Sequence, residues 1–228
     1  MPQPATTPAE QLAAGRRGWK GLLRPPVPAW HNPADLAAEP PLGKRNLYIG
    51  GAAVRPPGYI NVDLFGLPGV DVICDAERLP FRDGSFSRVE CPAVLEHTPH
   101  PQRLVGEIER TLEPGGVCHL VAPFCHPFHE HPRDYWRFSL DGLTELVAPM
   151  EVFARGWQTG PTATMLAFFL DYLKLWTPGR LPKKAVWAAG AWLLWPLRYL
   201  DVILLRREDA RLLGNHGYVW ARKPRQKR

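Results

Sequence analysis

Apolar and polar positions follow three different rhythms along this chain. Between Asn46 and Pro123, five short runs rich in β-branched residues, NLYIGG, YINVDL, VDVICD, FSRVECPAV and VCHLVAP, are bounded by Gly, Pro or Asp. Runs of that length and composition predict β-strands. Between the fourth and fifth, PQRLVGEIERTLEPGG places Leu104, Ile108 and Leu112 at helical spacing before Pro-Gly-Gly, which predicts a helix that stops there and feeds a parallel strand. Strands this apolar, joined by such a crossover, predict an α/β sheet covered on both faces. Further on, Ser139 reads as the cap of a helix running to about Val147, and VFARGWQ and HGYVWARK read as two more strands. Between these two lie longer apolar runs, MLAFFLDYLKLW and AVWAAGAWLLWPLRYLDVILL, separated by TPGRLPKK. They predict an apolar helical hairpin. Residues 1–43, rich in Pro and Ala without periodicity, predict an irregular arm.

Length limits how these pieces are grouped. A chain of 228 residues, 45% hydrophobic, buries one substantial core and leaves room only for an appendage. The expected organisation is an N-terminal arm (1–43), one domain built from 44–160 and 214–224, and a helical insertion (161–213). Cys74, Cys91, Cys118 and Cys125 form no C-x-x-C pair and read as reduced packing residues of a cytoplasmic protein. The first fifteen residues lack a basic start and an apolar run, so export is not expected. The net charge of +6 is concentrated in the RKPRQKR tail and scattered arginines, and with no basic stripe or RNA-binding motif, nucleic acid is not expected as a partner.

Ligands of such sheets bind beyond the carboxyl ends of the strands. The first strand ends in Gly50-Gly51, where backbone N–H groups can approach a ligand. The second ends at Asp63, the third at Asp75 followed by Ala76, and the fourth at Glu96-His97. A carboxylate after the second strand can accept both hydroxyls of a ribose, and one after the third can accept an adenine amino group.

In that order and spacing, IGG, INVDL, VICDAERLPFRDGSF, AVLEH and LEPGG resemble the class I S-adenosylmethionine-dependent methyltransferases, in particular the type-11 branch. The resemblance covers roughly residues 46–147. It implies a Rossmann-like, mostly parallel seven-stranded sheet, with the helical hairpin inserted between strands six and seven, and S-adenosylmethionine as cofactor. Carried over by position, Gly50 and Gly51 form the cofactor loop, Asp63 binds the ribose, Asp75 and Ala76 meet the adenine, and Leu95 with its neighbours walls the reactive methyl. Tyr48, Ala52 and Ser87 depart from the family's pattern, which keeps open a catalytically inactive, methyltransferase-like interaction protein. Another nucleotide-dependent enzyme on the same sheet edge is a further alternative. Only Gly51 to Gly58 separate the first two strands, fewer residues than a parallel crossover usually takes, so the family's first helix is expected to be missing or reduced.

The densest chemistry lies in HPFHEHPRDYWRF, residues 126–138, which overhangs the place where methyl and acceptor must meet. The prolines leave no helix face on which His126, His129 and His131 could line up, and no cysteine pair completes a ligand set, so metal is not expected. A hydroxyl acceptor needs a base near neutrality. His129 or His126 is the candidate, with Asp134 as orienter and His97 on the opposite wall, while Arg133 and Arg137 can hold an anionic substrate group. The expected acceptor is a hydroxyl of a glycan, a lipid-linked molecule or another small molecule, lipid and glycan intermediates being what the resemblance implies. The insertion bears on this. Its second run of 21 residues could span a bilayer at about 32 Å. Arg198 and Asp201 within it cost about 2.5–3.5 kcal/mol each against roughly 3–5 kcal/mol gained from its Val, Leu and Ile residues, so a span is not expected. The hairpin is either a lid on the protein's own core or a peripheral contact with the inner membrane face, with Trp187, Trp192, Trp195 and Tyr199 at the interface.

Overall fold

The computed structural model describes residues 38–51 and 56–225. Most of the arm (1–43), Ala52 and the rest of the middle of the first strand connection, and the end of the basic tail lie outside the described residues. The expectations about the arm and the missing first helix therefore fall largely outside them as well.

Seven strands form one sheet in the order β3-β2-β1-β4-β5-β7-β6. β1 (Asn46–Ile49) pairs in parallel with β2 (Tyr59–Asp63) and β4 (Phe86–Pro92), β2 with β3 (Val72–Ile73), and β4 with β5 (Leu112–Pro123). β7 (His216–Arg222) lies antiparallel between β5 and β6 (Glu151–Thr159). The sheet is thus mixed and mostly parallel. β5, next to the central β4, has the most continuously buried run: Val117 to Pro123 are all buried. The carboxyl ends of β1, β2, β3 and β4 open on one edge, where the candidate residues gather.

Two predicted elements differ in extent. VDVICD yields only the two-residue β3: Cys74 still donates its N–H to the Asp63 carbonyl at 3.0 Å, and the chain then turns, Arg78 N–H bonding to Asp75 O at 2.9 Å. The helix α1 (Pro101–Thr111) stops before Pro-Gly-Gly, which belongs to β5. There Gly115, at φ 85°, donates its N–H to Lys223 O at 2.9 Å, so a tertiary partner claims residues that locally read as a stop. α1 buries Leu104, Val105 and Ile108 against the sheet. α2 (Leu140–Leu146) starts as its sequence predicts, Ser139 Oγ accepting the Gly142 N–H at 3.1 Å, a capping arrangement that satisfies one orphan donor of the first turn.

Between β6 and β7 the chain forms two 15-residue helices, α3 (Pro161–Leu175) and α4 (Arg180–Leu194), then a 3-10 turn (Trp195–Leu200), the short α5 (Asp201–Leu204) and a second 3-10 turn (Glu208–Leu212). Among the described residues, no helix is long and apolar enough to cross a membrane. Asp201, counted in the sequence as an obstacle to insertion, is 4% exposed, and its carboxylate accepts the N–H groups of Thr162 at 2.7 Å and Ala163 at 3.0 Å. It caps α3 from 39 residues downstream of Thr162 in sequence, a role no local pattern announces.

Candidate active site

A cavity of about 440 Å³ opens at the carboxyl ends of β1, β2 and β3. Gly50, Asp63, Asp75 and Ala76 all line it, as do Ala93, Val94, His97 and His129. Gly50 sits at φ 76°, a left-handed conformation that side chains disfavour, and a Cβ there would lie 2.2 Å from Val94 Cγ2. Asp63 and Asp75 each accept the N–H of the residue two positions on, Phe65 and Glu77, both at 2.9 Å. Such turns point the carboxylates outward from the strand ends. The Asp75 segment is further held by α1: Glu107 accepts the Leu79 N–H at 2.8 Å, and Arg110 donates to Leu79 O at 3.0 Å and Phe81 O at 2.7 Å. Leu95, assigned to this wall in the sequence, is instead fully buried in the core, and Ala93 and Val94 form the wall. Ala93 itself has φ 54°, a strained state for a non-glycine residue that clusters at functional sites. Gly51 is buried and does not line the cavity.

The loop 126–138 is knitted shut by one ion pair. Arg137 donates to both oxygens of Asp134, and also to His126 O at 3.1 Å and Pro127 O at 3.0 Å. Asp134, its side chain 0% exposed, in turn accepts the His129 N–H at 2.7 Å. The hydrogen bonds from Arg137 hold the Asp134 carboxyl well below the ordinary range. Arg137 is therefore committed within the loop and does not present itself to a substrate anion, while Arg133 is exposed. The loop also hangs on the turn after β4: Tyr135 and Trp136 donate their N–H groups to Glu96 O at 2.7 and 3.3 Å, and the indole of Trp136 donates to Thr98 O at 2.9 Å. Phe138 reaches the core, whereas Tyr135 and Trp136 stay exposed.

Glu96 was passed over in the sequence as part of a wall. Its side chain is fully buried, neither carboxylate oxygen is hydrogen-bonded to another residue, and burial pushes its carboxyl up to about 7. Its Oε1 lies 3.8 Å from His97 Nε2 and 3.9 Å from His129 Nε2. The signal was present in AVLEH, since a Glu-His pair closes a short apolar run; β4 itself stops at Pro92, and Glu96 and His97 lie in a 3-10 turn, Leu95–His97. Its convergence with His129 requires the fold.

A second cavity, about 450 Å³, lies between the loop and the helices α3 and α4. Its walls are mostly apolar, with Leu166, Leu170, Trp187, Leu194 and Trp195 beside the charged Asp171 and Arg198, and His126, His129, Asn215 and His216 form a polar group. Asn215 organises that group. Its Nδ2 donates to Cys125 O at 2.8 Å, so its Oδ1 faces the Nδ1 atoms of His126 at 3.2 Å and His216 at 2.6 Å as an acceptor. Both imidazoles are thereby fixed with the proton on Nδ1, and Nε2 is left as the acceptor. Burial lowers the pKa of His126, and that of His216 falls to about 3, so both are neutral near pH 7. His129 lines both cavities. His131 is exposed against Phe65 in the first, so His126, His129 and His131 do not converge.

Sheet order and the carboxyl-edge cavity define a class I, Rossmann-like methyltransferase fold. The family model for a methyltransferase domain matches residues 61–120. A ubiquinone/menaquinone biosynthesis C-methyltransferase UbiE from Desulfotalea psychrophila is 29% identical over 91 residues, 38% of this chain and 37% of that protein. A phthiotriol/phenolphthiotriol dimycocerosates methyltransferase from Mycobacterium ulcerans is 33% identical over 122 residues, 44% of either chain. Among solved structures, phosphoethanolamine N-methyltransferase 2 of Haemonchus contortus in complex with S-adenosyl-L-methionine superposes with a TM-score of 0.53 at 14% identity, over 99% of this chain and 62% of that one. Over the matched segment 61–120 these relatives support a class I S-adenosylmethionine-dependent methyltransferase of the type-11 branch, and the solved structure shares its fold. The chain spans less than half the length of the curated relatives it matches.

Proposed function

We propose that this protein transfers a methyl group from S-adenosylmethionine to an acceptor with an apolar, lipid- or quinone-like body. The observation that carries the reading is the pair of cavities that share His129. The residues of the first fit the cofactor: two carboxylates at successive strand ends, a glycine turn that takes a side chain only if Val94 moves, and the apolar wall of Ala93 and Val94. Asp63 would take the ribose hydroxyls and Asp75 with Ala76 the adenine edge. Once bound, the cofactor supplies an electrophilic methyl group. Because such a transfer depends on in-line approach, holding the acceptor is the protein's main contribution.

The second cavity suits an apolar body and not a bare glycan, with the reacting group against its histidines. Relatives named for quinone and phthiotriol methylation support that class. If the reacting atom is protic, His126 takes the proton, being neutral with its Nε2 as acceptor. The domain division follows the same logic: 44–160 with 214–224 hold the cofactor, and 161–213 houses the acceptor. Exposed Leu175, Trp176, Leu193 and Ile203, near the basic Arg180, Lys184 and Arg206, fit a peripheral contact with anionic lipid, from which such an acceptor would come.

Calorimetric titration with S-adenosylmethionine tests the cofactor site. The wild type is expected to bind, and Asp63→Ala to bind at least about tenfold more weakly, since each hydrogen bond to a charged group is worth about 1.5–3 kcal/mol. No binding by the folded wild type would remove the reading. Incubation with methyl-labelled cofactor and a prenylated quinol then tests the acceptor class, label in the organic phase being the expected result.

A further inference from the structure

Three ligand atoms converge where the two cavities meet. The Glu96 carboxylate, fully buried and unbonded to any other residue, has its Oε1 3.8 Å from His97 Nε2 and 3.9 Å from His129 Nε2. The donor atoms of Glu96, His97 and His129 all lie within 4.8 Å of one another. An unpartnered carboxylate in the interior is costly and normally comes with a compensating group. The separations to the two imidazoles are too long for hydrogen bonds. Ligands sharing a tetrahedral ion with bonds near 2.1 Å stand about 3.4 Å apart, so closure needs the carboxylate and each imidazole to approach by about half an ångström, and the two imidazoles, within 4.8 Å of each other, by up to about 1.4 Å.

The imidazoles are also turned for the task. His97 Nδ1 meets Arg133 O at 2.6 Å, and His129 Nδ1 meets Pro127 O at 3.2 Å, with the Asp134 carboxylate 3.5 Å away. Carbonyls and carboxylates only accept, so both rings carry their proton on Nδ1 and offer the Nε2 lone pair to the space beside Glu96. Metal-binding histidines are oriented by this kind of outer contact. The two faces of the site are fixed by separate parts of the chain: His97 by the turn after β4, His129 by the Asp134–Arg137 pair.

We propose that Glu96, His97 and His129 bind one divalent first-row transition ion, with Zn²⁺ as the reference. Two imidazoles and a carboxylate suit such ions and leave a coordination position open. This set differs from the histidine triplet of the loop, of which only His129 takes part. Binding of the ion stands independently of methyl transfer. Its role rests on that reading: beside the histidines of the acceptor cavity, the ion would coordinate the acceptor's oxygen, lower its pKa and leave His126 to take the proton.

The test uses the full chain without a histidine tag, stripped with a chelator and titrated with Co²⁺ alone, followed by visible absorption. The expected result is a d–d band that saturates at one equivalent and is displaced by Zn²⁺. Glu96→Gln and His129→Ala should each weaken Co²⁺ at least about tenfold, while His100→Ala, an exposed residue outside the set, should bind as the wild type does. Thermal unfolding establishes that each variant is folded, and His97→Ala replaces any that is not. No saturable band, or equal affinity in all variants, overturns the proposal. S-adenosylmethionine binding to the metal-free wild type reports separately on the cofactor site, so failure of either reading is seen as its own.

Discussion

Gly50 illustrates how one position ties backbone to site. At φ 76°, with Val94 Cγ2 2.2 Å from where a Cβ would sit, it can carry a side chain only if Val94 moves. Gly50→Ala forces a left-handed backbone costing about 1–2 kcal/mol, so unfolding scans should show Tm lower by about 2–8 °C and calorimetry a weaker cofactor affinity. Unchanged values would mean that Val94 yields and the turn is not constrained. His216 shows a different single-residue effect. Burial, reinforced by His126, lowers its pKa to about 3, so below pH of about 6.5 the unfolded chain takes up a proton that the folded chain refuses. Stability should therefore fall as pH drops from about 6.5 towards 3. In urea midpoints measured across that range, His216→Gln should show a shallower fall, by one proton, than the wild type. Parallel slopes would show that His216 is solvated in the fold.

At the scale of elements, the hydrophobic pattern is informative wherever a segment buries its own residues. β1, β2, β4, β5 and α1 follow from runs whose period matches their burial, and the carboxyl-edge residues Gly50, Asp63, Asp75 and Ala76 follow from where those runs end. It is uninformative where a distant partner decides. Lys223 turns Pro-Gly-Gly into strand, Val94 stands where Leu95 was expected, and Glu96 meets His129 across a loop. Asp201 belongs to this second class. Removing its two bonds to the N-terminus of α3 in Asp201→Ala should cost about 0.5–2 kcal/mol and loosen the wall of the acceptor cavity. Asp201→Asn, which keeps an acceptor, should cost less in the same thermal scans. Equal losses would assign the effect to the negative charge instead.

For the whole molecule, the distribution of apolar surface is the telling quantity. Leu175 and Trp176 at the end of α3 and Leu193 at the end of α4 are 78%, 74% and 78% exposed, and large apolar side chains exposed in this number on one helical unit are a feature of contact surfaces. Flotation with liposomes should carry the folded protein upward when anionic lipid is present and much less without it, because the neighbouring basic residues add charge attraction. No flotation with either lipid would favour the helices acting as a lid on the protein's own surface.

β7 lies between β5 and β6 yet follows both in the chain. While the protein is being synthesised, β5 keeps a bare edge, and β6 has no neighbour in the sheet, until residues 216–222 leave the ribosome. Asn215, which aligns the two histidines of the acceptor cavity, arrives at the same moment. From the completion of β5 at Pro123 until β7 begins at His216, the nascent chain therefore carries an open, apolar strand edge, the condition that recruits chaperones and seeds misassembly. A chain ended at Leu213 should accumulate in inclusion bodies, and supplying residues 214–225 as a separate peptide during refolding should return part of it to solution.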